Sequence, residues 1–66
     1  MNIVEFRISN TIKEIECSDC FDNNYELFNK GVEMLKDRLN KKDFSELNNS
    51  EREILENIYS IMEIEK

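Results

Sequence analysis

Two stretches of this chain carry apolar residues at the spacing of one helical face, and together they use up most of its hydrophobic side chains. In the first, Phe21, Tyr25, Phe28, Val32, Leu35 and Leu39 recur at intervals of four, three, four, three and four. That repeat places side chains on one side of a 3.6-residue turn. Leu27 and Met34 widen the stripe. In the second stretch, Ile54, Leu55, Ile58, Tyr59, Ile61 and Met62 form a broad apolar face. The pattern predicts helices over about 19–40 and 50–64, packed as an antiparallel αα-hairpin, with these residues as its core or as a dimer interface.

End signals agree with the stripes. Ser18 or Asp19 can accept a hydrogen bond from an orphan N–H of the first turn, while Arg38, Lys41 and Lys42 suit the negative end of the helix dipole. Ser50 and Glu53 fit a capping box for the second helix. Phe44 and Leu47 are expected to tuck under the polar connection between the helices. Gly31, the one glycine, lies inside the first stripe. It reads either as drift on a tolerant face or as a place where another backbone comes close.

The first seventeen residues are ambiguous. Val4, Glu5, Phe6, Arg7 and Ile8 alternate as a half-buried strand does. A return strand over 11–17 would turn at Ser9 and Asn10 without the glycine that tight hairpins favour. The preferred expectation is an α+β fold, with an N-terminal strand or β-hairpin at about 2–17 before the αα-hairpin. The rival puts Val4, Ile8, Ile12 and Ile15 on one helical face and makes an all-α three-helix bundle.

A chain of 66 residues is expected to form a single domain that buries only about 60% of the surface its unfolded form exposes. Self-association is therefore a natural expectation. No proline and only two cysteines are present, which speaks against both an all-β sandwich and a secreted disulfide scaffold. Neither a membrane span nor a signal sequence is legible, so a soluble cytoplasmic protein is expected. Asn, Ile, Lys and Glu supply more than half of the residues, a bias typical of AT-rich bacterial or phage coding.

The net charge is −6, and the excess is uneven. Residues 14–33 hold Glu14, Glu16, Asp19, Asp22, Glu26 and Glu33 against Lys30, and residues 43–65 hold Asp43, Glu46, Glu51, Glu53, Glu56, Glu63 and Glu65 against Arg52. Between them, Lys36, Arg38, Lys41 and Lys42, with Asp37 among them, make a local basic patch. A field of this sign repels nucleic acid and anionic membrane and draws in basic protein surfaces. The plainer reading is that the carboxylates keep a small domain soluble.

Chemistry has few footholds. Cys17 and Cys20 form a C-x-x-C pair, which suggests redox exchange or half of a zinc site. A helix starting near Ser18 would lower the thiol pKa values through its dipole, and the flanking Glu16, Asp19 and Asp22 would oppose this. With no histidine and two thiols, zinc could be held by sulfur and nitrogen only if two copies shared it. Two ordinary reduced cysteines are the simpler reading, with no cofactor. Asp19, Asp22, Asn23 and Asn24 lack the ligand order and turn glycine of a calcium loop. Without histidine, a glycine-rich phosphate loop or converging carboxylates, an enzyme is not expected.

Three functions follow as expectations. The first is a non-enzymatic interaction module that binds and regulates or inhibits a basic protein partner through Glu51, Glu53 and Glu56, or through Glu14, Glu16, Asp19, Asp22 and Glu26. A sharper form of it mimics nucleic-acid charge, with carboxylates in place of phosphates. The second is a self-associating accessory protein, a homodimer joined by apolar faces. The third is a zinc-sharing or redox-sensing dimer built on Cys17 and Cys20.

Overall fold

A computed structural model describes residues 3–64. The order is α1 (Ile3–Glu16), a 3-10 turn (Asp22–Asn24), α2 (Tyr25–Lys41) and α3 (Asn49–Ile64), with no strand among the described residues. This overturns the expected α+β fold. The segment expected as a strand or hairpin at about 2–17 is helical from Ile3 to Glu16, and residue 2 lies outside the described residues. The rival three-helix arrangement is the one adopted. Its cause is burial: Ile8, Ile12 and Ile15 share one helical face, with Ile15 fully buried and Ile12 nearly so. A strand would turn Ile12 and Ile15 to opposite sides. Ser9 and Asn10 make no turn, and Thr11 Oγ1 donates back to the Arg7 carbonyl at 2.9 Å.

The helix expected from about residue 19 starts later. Cys17 to Phe21 lie in the turn after α1, the 3-10 segment follows, and α2 proper begins at Tyr25. Ser18 Oγ accepts the Cys20 N–H at 3.1 Å, inside that turn, rather than capping α2. Asn24 Nδ2 donates to the Cys20 carbonyl at 3.0 Å. Phe21 stacks edge-on against Tyr25 and Phe28, with ring centroids 5.6 and 6.2 Å apart, which closes the corner with aromatic contacts.

Helix α2 is the central element: α1 and α3 both pack on it, and they meet each other at most marginally. The buried core is Ile12, Ile15, Cys20, Phe28, Val32, Leu35, Leu55 and Ile58. Of the residues expected in the core or at an interface, Phe21, Leu39, Ile54, Ile61 and Met62 are half-buried and pack against that core. Tyr25 is instead 56% exposed. Gly31 is buried at the α2–α3 contact, where a Cβ would overlap Ile58 Cδ1. The glycine is thus a socket for a side chain, which the reading as drift does not account for and close backbone approach only half describes.

Helix α2 ends in a Schellman motif. Lys42 takes the left-handed conformation (φ 53°), its N–H donates to Leu39 O at 3.2 Å, and the Asp43 N–H donates to Arg38 O at 3.0 Å. Leu47 and Phe44 are half-buried in the connection, as expected, and Leu47 packs on the core. The capping box of α3 lies two residues before the expected Ser50–Glu53 pair. Asn48 Oδ1 accepts the Glu51 N–H at 2.8 Å, and Glu51 Oε1 accepts the Asn48 N–H at 3.0 Å. Asn48 and Glu51 have the same i, i+3 spacing and start the helix earlier, so Ser50 falls within its first turn.

Candidate interaction surface

The basic patch legible in the sequence is largely neutralised in the fold. Lys36 pairs with Glu16 across α1 and α2 at 3.4 Å, and Lys41 pairs with Asp37 one turn back at 3.2 Å. Arg38, expected at the surface, is buried at 7% exposure. Its guanidinium reaches Glu51 at 3.4 Å and Asp43 at 4.0 Å and donates to the Ser45 carbonyl. A single arginine thereby ties the end of α2, the connecting loop and the start of α3, and the partners satisfy a charge that burial alone would penalise. Asp43 in turn accepts the Ser45 hydroxyl at 2.6 Å and the Ser45 N–H at 3.1 Å. These hydrogen bonds, with the nearby Arg38 and Lys41 charges, hold the Asp43 carboxyl below its ordinary pKa.

The carboxylates expected to meet a partner divide into two groups. Glu51 is half-buried and committed to Arg38 and to the helix cap, and Glu16 is exposed but paired with Lys36. Glu14, Asp19, Asp22, Glu26, Glu53 and Glu56 are exposed and make no ion pair among the described residues. The fold does not bring them all to one place. Glu14 and Asp19 share a hollow with Glu63, whereas Glu53 sits in the N-terminal part of α3, towards its opposite end.

Helices α1 and α3 leave a groove between them, opened by two hollows. The larger, about 560 Å³, is bordered by Glu14, Ser18, Asp19, Cys20, Tyr59, Met62 and Glu63. The smaller, about 260 Å³, lies between Val4, Arg7, Ile8 and Thr11 of α1, Leu35 and Arg38 of α2, the loop from Phe44 to Leu47, and Leu55 and Tyr59 of α3. Tyr59 borders both and is 40% exposed. The sequence marked Tyr59 as core or interface; its helical row was legible, but a groove between helices far apart in the chain was not.

Cys17 is exposed and Cys20 is buried, both as thiols. They belong to the α1–α2 turn and not to the first turn of α2, against the expectation of a helix starting near Ser18. No cluster of three or more metal-ligating side chains occurs among the described residues. No described helix is long and apolar enough to cross a membrane. Neither a protein-family model, nor a curated protein, nor a solved structure matches the chain.

Proposed function

We propose that this protein is a non-enzymatic interaction module that binds a basic surface on a protein partner and regulates or inhibits that partner. The observation that carries this reading is the imbalance of uncommitted charge. The fold consumes Lys36, Arg38 and Lys41 in internal pairs; among the described residues Glu14, Asp19, Asp22, Glu26, Glu33, Glu46, Glu53, Glu56 and Glu63 stay exposed with no ion pair, against Arg7, Lys13, Lys30, Lys42 and Arg52 on the basic side. Long-range attraction from such a surface speeds encounter with a cationic partner and disfavours polyanions. In its sharper form the partner is a nucleic-acid-binding protein whose phosphate site these carboxylates occupy.

Salt dependence tests the reading. A partner captured from the native host at low ionic strength should be basic, and its affinity should fall steeply towards about 0.5 M salt, where the screening length is only a few ångströms. Glu53→Lys with Glu56→Lys, and separately Glu14→Lys with Asp19→Lys, should weaken capture while the helical circular dichroism stays unchanged. Capture indifferent to salt and to both pairs of reversals would remove the proposal. Competition by duplex DNA for the captured partner supports the mimicry form, and indifference to DNA rejects it.

A second reading, self-association into a homodimer, is favoured by the outer side of α1. There Ile3 and Phe6, three residues apart, are 67% and 51% exposed.

A further inference from the structure

Helices α1 and α3 both pack on α2, and both border the groove between them. A helix laid in that groove would touch both, as the fourth member of a helical bundle touches its two neighbours. The fourth position is the groove itself. Its length follows from α1, whose 14 residues at about 1.5 Å each give roughly 21 Å, enough for four turns of a partner helix. The floor and walls are apolar in the middle, with Ile8, Leu35, Leu55 and Tyr59.

One end is strongly negative. Glu14, Asp19 and Glu63 border the larger hollow and none makes an ion pair among the described residues. The last turns of α1 and α3 both border that hollow, through Glu14 and Glu63, so two helix dipoles add partial negative charge there. At the other end, Arg38 is already neutralised by Glu51 and Asp43, and the smaller hollow is bordered by one exposed base, Arg7, and one exposed acid, Glu46.

We propose that the groove seats one amphipathic helix of a partner protein, with its apolar side on Ile8, Leu55 and Tyr59 and its Lys or Arg side chains at the Glu14, Asp19 and Glu63 end. The helix runs antiparallel to α1 and α3, so that its positive N-terminal end meets the acidic end of the groove. The proposal rests on reading the chain as a module for a basic partner, and it adds the place, the secondary structure and the polarity of what is bound. Tyr59 is the anchor, because it stands half-exposed where the two hollows meet, the position in which aromatic side chains dominate binding.

The test is selection from a displayed library of random segments of about 18 residues, followed by affinity measurement on synthetic winners. Winners should carry apolar residues at i, i+3, i+4 and i+7 with an excess of Lys and Arg. Tyr59→Ala and Glu63→Lys should each weaken them by roughly tenfold or more. Both side chains are exposed, so both variants should keep the wild-type helical signal; if one unfolds, the other still decides. The chain has no tryptophan, so a Trp placed at the N-terminal end of a winner should quench a fluorophore on the exposed Cys17, beside the acidic end, more than a Trp at the C-terminal end.

Winners without helical periodicity, or indifferent to Tyr59, overturn the groove. If those same winners are basic and salt-sensitive, the acidic-surface reading survives. Helical, Tyr59-dependent winners with no basic excess overturn the charge assignment and the acidic-surface reading together. A dimer in solution that Tyr59→Ala dissociates gives the groove to a second copy and also overturns the proposal.

Discussion

The two connections of this small bundle do the same topological job by opposite means. Between α1 and α2 the chain reverses over residues 17–24, with Ile15 and Cys20 buried and Phe21 edge-on to two aromatic rings. Between α2 and α3 it reverses over residues 42–48 with a buried arginine, a left-handed lysine, an aspartate bonded to Ser45 and an asparagine–glutamate cap. The first corner is closed chiefly by burying apolar surface, which is non-directional, with Ser18 and Asn24 adding local bonds to the Cys20 backbone. The second is closed by directed polar bonds, each of which fixes a geometry and is costly if half-made. In a domain with so little interior, apolar residues suffice for one corner, and charge chemistry secures the other.

Paired substitutions should separate the two. Ile15→Ala at the apolar corner should cost about 2–5 kcal/mol through lost transfer energy and the cavity left behind. Arg38→Ala at the polar corner should cost less, about 1.5–3 kcal/mol, the range for hydrogen bonds to charged groups. Urea unfolding of both variants measures the order, and a larger loss at Arg38 would mean that the polar corner, not the core, holds the bundle together.

A stabilising change should come next in size. Lys42 adopts φ 53° where glycine is the usual residue. Lys42→Gly should therefore raise stability by about 0.5–1 kcal/mol, net of the extra freedom glycine has when unfolded. A fall in stability would show that Lys42 makes contacts that outweigh its strained backbone.

The smallest effect should be one that disappears in acid. Asp43 is held below its ordinary value of 3.8 by the Ser45 hydroxyl and N–H. A lowered folded pKa gives stability that is present above the unfolded value and is lost as pH falls through the folded one. Asp43→Asn should thus lower the melting temperature slightly at neutral pH and converge on the wild type as pH falls below about 4, the unfolded carboxylate range, so that the acid limb of the profile is flatter. The apolar-corner variant should lower the whole profile without altering its shape.

The stripes of α2 and α3 were legible because their apolar residues are the ones buried: Phe28, Val32, Leu35, Leu55 and Ile58 all lie in the core. The N-terminus misled because its strand-like alternation rests on Val4 and Phe6, which are 37% and 51% exposed and so report little about packing. The residues that decide for a helix, Ile12 and Ile15, come after that alternation ends. Arg38 was read as solvated, since a charged side chain near a helix end usually is. Its burial depends on Glu51 and the Ser45 carbonyl, from segments whose approach no local pattern encodes. The cap at Asn48 was within reach of sequence reasoning, because Asn48–Glu51 and Ser50–Glu53 share the same spacing and differ only in which comes first. The groove was beyond it, being made by helices that are never neighbours in sequence.

That the outer helices pack chiefly on the middle one has a kinetic consequence. Among the described residues the main helix–helix contacts join elements adjacent along the chain, so no long loop must close before most packing is rewarded, and folding is expected on the microsecond-to-millisecond scale of helical bundles. It also makes α2 the obligatory partner of each half. Loss of α1 or α3 would strip one side of α2, while damage to α2 would leave the other two with nothing to fold against.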